Sequence, residues 1–268
     1  MLRRKPGIAA PDLLHAVFDR SIQISVGARE YLPLLQRFGP FPEPLLAGTD
    51  RTLNLWRRNR VERIIREDLR DLSRLPELSQ VEMLASLLPE RAANPLSITS
   101  LSEDLEVAYT TVRRWLQYLN ELYYFFEVKP YSKSLSRSIK KEGRLYLWDW
   151  SEVENEASRF ENLVALHLLK YCDYLTDTGE GDYELRYLRN KEKKEIDFLL
   201  LKNNKPWFPV EVKLNQEKLS ENWKVFLPQI KCPYALQVVN KTNVFNIVEL
   251  GEYKVLITSA EEFLRYLM

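Results

Sequence analysis

From Asn54 onward apolar residues recur at three- and four-residue steps: Val61, Ile64, Ile65, Leu69 and Leu72, with Pro76 closing the run. That period predicts a helix. Its opposite face carries Arg57, Arg58, Arg63, Arg66 and Arg70, laced with Glu62, Glu67, Asp68 and Asp71, and reads as a solvated face. A second helix is expected over 77–88. Ser100-Leu101-Ser102-Glu103 has the form of a capping box, with Ser100 as cap of a short helix. A turn near Val107-Ala108 leads into a helix over 110–122. Val112, Leu116 and Leu119 point inward there, while Thr111, Arg113, Arg114, Gln117 and Tyr118 are more exposed. A strand over 123–128 follows, which makes the unit a helix-turn-helix of winged type. The outward residue types suit phosphate and base contacts, although paired helices of this kind also serve as plain structural modules.

Residues 1–50 hold six of the fourteen prolines and read as short helices and loops. Residues 129–144 are basic (Lys129, Lys133, Arg137, Lys140, Lys141, Arg144) and form either a linker or a phosphate-facing loop. Beyond them the period alternates between two and 3.6. Strands are expected near 145–148, 183–189, 195–201, 207–214, 234–239, 244–250 and 253–257. Helices are expected over 157–171, about 218–229 and 260–267. Asn203-Asn204 suits a tight turn between two of these strands. The expected fold is mixed α/β, α+β overall, with a helical, winged-helix-like region ahead of an α/β domain.

Composition excludes more than it selects. The 268 residues are 45% hydrophobic and 29% charged, which is ordinary for a globular protein, and the net charge of +1 favours no partner class. Two cysteines and two histidines make a zinc centre a poor expectation, and Cys172 and Cys232 fit reduced thiols. No apolar run reaches the ~18 residues of a membrane span. The basic start at Met1-Leu2-Arg3-Arg4-Lys5 is followed by Pro6, Gly7, Pro11 and Asp12, where a signal peptide needs an apolar core. The expected location is the cytoplasm.

The chemistry concentrates in two apolar strands that each contain a carboxylate. Asp197 interrupts Ile196-Asp197-Phe198-Leu199-Leu200-Leu201, and Glu211 interrupts Pro209-Val210-Glu211-Val212-Lys213-Leu214. Strand alternation sets Glu211 and Lys213 on one face. By itself the second strand reads as a half-exposed strand with both charges wet. Asp197 changes that reading, because an acid in a nearly continuous apolar run needs a partner. Glu161 lies at the edge of the apolar stripe of the 157–171 helix, so Glu161, Asp197 and Glu211 could converge. Three acids without a counter-ion repel, whereas a hard divalent cation makes the cluster favourable. Oxygen ligands suit magnesium or manganese. Lys213 would orient a water or stabilise charge on a phosphate.

An Asp, thirteen residues and then Glu-Val-Lys resembles the restriction-endonuclease-like nuclease superfamily, written PD-(D/E)XK. The resemblance implies an αβββαβ core with Asp197, Glu211 and Lys213 as catalytic residues and Glu161 as the acid of the first core helix. More of the chain is similar to a group of predicted prokaryotic AAA-type ATPases with a nuclease-like C-terminal half. The similarity lies in Gly39-Pro40-Phe41-Pro42-Glu43-Pro44, Trp56-Arg57-Arg58, Ile65-Arg66-Glu67-Asp68-Leu69, Arg159-Phe160-Glu161-Asn162 and Gly179-Glu180-Gly181-Asp182-Tyr183. It implies a remnant of an ATPase lid over 1–53, a winged-helix-like domain over 54–131 and a nuclease-like domain over 132–268. No phosphate-binding loop is present, so an ATP site in this chain is not expected. The chain reads as a truncated or stand-alone C-terminal half, with an ATPase as partner or missing half. The expected activity is metal-dependent hydrolysis of DNA, with Arg113, Arg114, Lys140 and Lys141 as candidate nucleic-acid contacts. The alternative is a catalytically silent nuclease fold that binds DNA or protein.

Overall fold

The computed structural model describes residues 10–21, 26–69, 78–132 and 142–267. It divides into two compact units that are not contiguous along the chain, whereas the expected segments 1–53, 54–131 and 132–268 are. One unit combines residues 1–30, 129–141 and 164–268; the other combines 31–128 and 142–163. The first elements of the described residues are α1 (Ala10–Phe18), which belongs to the first unit, and α2 (Val26–Phe38). Lys140 and Lys141 lie outside the described residues.

The second unit is mostly helical. Gly39 ends α2 and leads into α3 (Pro42–Ala47). Then α4 (Asp50–Glu62), capped by the Thr49 hydroxyl, passes into a π-helical stretch, Arg63–Leu69. Ile64 and Ile65 are buried, as their period predicts. Arg58, Arg63 and Arg66 are exposed, but Arg57 is not part of a solvated face. Its Nε donates to Ser151 Oγ at 3.2 Å, and its Nη2 reaches the Ser151 carbonyl. One turn on, Arg60 pairs with Glu152 at 2.9 Å with both side chains under 10% exposed. Trp56 Nε1 donates to Asp149 Oδ2 at 3.1 Å, and Tyr124 Oη donates to Glu152 Oε2 at 2.7 Å. Burial raises the Glu152 carboxyl in spite of Arg60. This polar knot presses on Gly39 (φ +81), where an added Cβ would lie 2.5 Å from Asp149 Oδ1.

Next come α5 (Leu78–Leu87), α6 (Ile98–Asp104), α7 (Tyr109–Glu121), β1 (Phe125–Pro130) and β2 (Arg144–Leu147). The cap of α6 is Ser97, which accepts the Ser100 amide at 3.4 Å, not Ser100 as the capping-box pattern suggests. Backbone bonding explains the shift. Ala93 N–H donates to Leu145 O at 2.8 Å, Leu145 N–H to Asn94 O at 3.0 Å and Leu96 N–H to Gly143 O at 2.8 Å. The chain is therefore held extended beside β2 until residue 97, and the helix starts from there. In β1, residues 125–128 pair antiparallel with β2, Phe125 opposite Leu147 and Val128 opposite Arg144. Helix, bridging stretch, two helices and a β pair follow the order of a winged helix. Val112, Leu116 and Leu119 face the core, joined by Trp115, which packs with Leu84, Leu101 and Phe125 in one cluster. Arg113 and Arg114 are exposed on the opposite side of α7.

The first unit is built on a mixed sheet: β3 (Tyr183–Arg189), β4 (Glu195–Lys202), β5 (Lys205–Lys213), β6 (Tyr234–Val239), β7 (Phe245–Leu250) and β8 (Tyr253–Ser259). The spatial order is β3-β4-β5-β6-β8-β7, and Lys129 and Pro130 of β1 pair parallel with β3. Helix α8 (Glu156–Asp177) is divided between the units; α9 (Asn222–Ile230) and α10 (Ala260–Leu264) complete the first. From α8 the order is αβββαβ through β6, as expected. Asn203 and Asn204 both take positive φ and join β4 to β5 by the expected two-residue turn. Strand β5 carries Pro206 and Pro209 in its first half, which pairs with β4 alone. Its pairing with β6 begins at Val210, so the missing proline N–H groups leave no gap in a ladder. Trp223, Phe226 and Leu227 of α9 pack with Leu199, Leu201 and Ala235 in one cluster. At the other end of the unit, Phe18 of α1 stacks edge-on with Tyr234, and Arg20 lies over Phe245.

Candidate active site

The antiparallel β4–β5 pair brings two of the predicted acids to one face. Phe198 and Val210 are direct partners, so Asp197 and Glu211, one residue outward on each strand, share the opposite face. Both are buried, Asp197 at 9% and Glu211 at 1% exposure. Asp197 Oδ2 accepts the Val212 backbone N–H at 2.8 Å. Glu211 Oε1 receives three donors: Lys213 Nζ at 2.7 Å, Ser220 Oγ at 3.2 Å and Asn222 Nδ2 at 3.4 Å. Glu211 Oε2 is buried and has no hydrogen-bond partner among the described residues. Burial pushes the Glu211 carboxyl up to about 7, and the neighbouring Asp197 charge pushes the same way; Lys213 opposes both.

Lys213 is 30% exposed, with its ammonium on Glu211. It lies on the same face of β5, as the alternation predicts. Glu161 belongs to the second unit. There Tyr146 Oη donates to Glu161 Oε1 at 2.7 Å, and Arg144 Nη1 lies 3.4 Å from the same oxygen. Its neighbours in sequence hold the start of α8. Arg159 Nη1 donates to Val153 O at 3.2 Å, and Asn162 exchanges two bonds of 2.8 Å with the Leu147 backbone. Among the described residues no three His, Cys, Asp or Glu side chains gather into a group able to hold a metal ion.

Asp197 and Glu211 nonetheless fit a hard cation. The orphaned Glu211 Oε2 is an oxygen acceptor in a desolvated position, which costs free energy until a cation or a proton satisfies it. Magnesium is commonly held by one or two carboxylates and several waters, so two acids suffice.

Three residues of the site escape a reading of the chain: Ser220, Asn222 and Gln237. Ser220 comes from the connection between β5 and α9, Asn222 is the first residue of α9, and no spacing marks either. Gln237 stands opposite Glu211 in the parallel β5–β6 register. It is a fully buried amide inside the apolar strand β6, the same kind of signal that singled out Asp197. Gln229 is exposed and donates to Val225 O at 2.9 Å. His167 is half-buried.

No helix among the described residues is long and apolar enough to cross a membrane. Residues 29–153 match the family model described as Domain of unknown function (DUF8612). Residues 158–258 match a second one, Domain of unknown function (DUF4143). The two acids and the lysine fall in the second region, and Arg113 and Arg114 fall in the first. The chain is also similar to an uncharacterized protein of Methanocaldococcus jannaschii. The two are 24% identical over 216 residues, which make up 75% of this chain and 46% of that protein. This chain thus spans about half the length of the curated relative that it matches.

Proposed function

We propose that the first unit is a metal-dependent phosphodiester hydrolase of the PD-(D/E)XK type acting on DNA, with Asp197, Glu211 and Lys213 as its working residues. The observation that carries this reading is the unpartnered Glu211 Oε2 beside a second buried acid, with an ammonium on the other oxygen. Asp197 and Glu211 would hold the cation, magnesium or manganese. When bound, the ion lowers the pKa of a water and polarises a phosphoryl oxygen. Asp197 is held in place through Oδ2, which accepts the Val212 amide. Lys213, partly exposed and anchored on Glu211, presents its ammonium to the attacking water or to charge growing on the phosphate. Glu161 already has Tyr146 and Arg144 as partners, and the minimal set omits it.

The test is cleavage of single- and double-stranded DNA with Mg2+ or Mn2+. Cleavage is expected from the wild type, is abolished in Asp197→Ala and Lys213→Ala, and persists in Glu161→Gln. Wild-type protein that cuts no DNA or RNA with either ion rejects the reading.

A second reading has its own support. In α7, Tyr109 to Asn120 contains no acid, and Arg113 and Arg114 are exposed on a helix that follows winged-helix order. We propose that this helix binds duplex DNA. Arg113→Ala with Arg114→Ala should weaken binding and lower the salt slope by about 2, one for each phosphate that an arginine no longer neutralises. The resemblance to AAA-type ATPases supports an ATPase as partner or attached half. The two buried, free cysteines suit a reducing cytoplasm.

A further inference from the structure

The amide of Gln237 has two N–H donors and two acceptor lone pairs. All four are used on one short segment and the helix that follows it. Nε2 donates to Gln216 O at 3.2 Å and to Lys218 O at 2.9 Å. Oε1 accepts the Ser220 amide at 3.0 Å and Trp223 Nε1 at 3.3 Å. Gln237 is fully buried. The segment it grips is the connection between β5 and α9, and its far end returns to the acid. Ser220 Oγ lies 3.2 Å from Glu211 Oε1 and accepts the Asn222 amide at 3.3 Å. Asn222 Nδ2 is shared between Glu195 O at 2.8 Å and Glu211 Oε1 at 3.4 Å.

We infer that Gln237 is a positioning residue for the carboxylate site. It latches residues 216–220 so that Ser220 and Asn222 occupy Oε1 of Glu211 and leave Oε2 for the ligand. The inference rests on the cation reading of Glu211 given above. An apolar side chain at 237 would fill the same space, so packing alone does not require an amide there. What packing cannot do is fix which way the Glu211 carboxylate is turned. A carboxylate with three donors on one oxygen is held in one orientation; with Lys213 alone it is free to swivel about its last bond. Groups that orient a ligand in this way are worth 10- to 100-fold in metal affinity.

The experiment measures Mn2+ affinity by calorimetry for wild type, Gln237→Met, Ser220→Ala and Thr258→Val, alongside thermal midpoints. Thr258 is a buried polar residue on β8 whose hydroxyl donates to Ser259 O at 3.5 Å, and it controls for loss of stability alone. Gln237→Met is expected to weaken Mn2+ binding by 10-fold or more. Ser220→Ala should do so by a smaller factor, and Thr258→Val should leave the affinity unchanged at whatever midpoint it shows. Should Gln237→Met not fold, Ser220→Ala carries the test. Wild-type affinity in Gln237→Met, or in Ser220→Ala when it stands alone, overturns the positioning role and leaves the cation site intact. A wild type that binds no Mn2+ rejects the cation reading and the positioning role together.

Discussion

Asp197 takes the backbone amide of Val212 where a further rung of the β4–β5 ladder would otherwise form. One carboxylate oxygen is therefore part of the sheet as well as part of the site. The two roles separate by substitution. Asp197→Asn keeps an oxygen for Val212 and removes a like charge beside Glu211, so it should fold with wild-type stability or better while losing Mn2+ binding. Asp197→Ala strands the buried amide and should cost about 1–3 kcal/mol. Chemical denaturation and calorimetry on both variants check this pair.

Lys213 should divide binding from chemistry. Lys213→Met removes an ammonium but no cation ligand. Mn2+ affinity is expected to stay within about tenfold of wild type, while DNA cleavage falls by about 100-fold or more. Equal losses in both quantities would argue that Lys213 only shapes the carboxylate.

Glu211 makes stability depend on pH in a known direction. Its folded-state pKa is raised, from 4.5 to about 7, so the folded protein holds a proton that the unfolded chain has released. Without metal, stability should fall as pH rises from about 4.5 to about 7, by at most about 3 kcal/mol from this group. Glu211→Gln should flatten that slope. Added Mn2+ should release a proton near pH 6, because the cation and the proton compete for the same carboxylate. Urea titrations at pH 5 and pH 8, and calorimetry in buffers of different ionisation enthalpy, measure both effects.

The two arginine environments of α4 should give opposite outcomes. Arg60→Met leaves Glu152 buried beside Asp149 without its cation and should destabilise the second unit by about 3 kcal/mol or more. Arg58→Ala, on the exposed side, should change stability by less than about 0.5 kcal/mol. Denaturant midpoints for the two variants decide it.

Much of this was legible in the chain because each residue reports its own surroundings. The αβββαβ order followed from period switches and from Asn203-Asn204. Asp197, Glu211 and Lys213 followed from charges set in apolar strands. Val112, Leu116 and Leu119 followed from helical spacing. What escaped depends on distant backbone. Ser97 displaced Ser100 as cap because residues 93–96 bond to β2, more than forty positions away. Arg57 left the solvated face because Ser151 lies across from it. Helix α9 starts at Asn222, not near 218, because Gln237 holds 216–220 as a loop. Strand β5 starts at Lys205, ahead of the expected 207, and takes in Pro206 because that half of it has no second neighbour among the described strands.

Gly39 and Gly48 share a backbone geometry and should have different fates in a saturation library. At Gly48 (φ +59) nothing lies within 4 Å of an added Cβ, so asparagine, which tolerates that twist, should be accepted with little loss. At Gly39 the same replacement meets Asp149 at 2.5 Å and Ser151 at 3.0 Å. Two codons alike in dihedral angle thus differ in freedom to drift, one kept open by solvent and the other closed by a carboxylate.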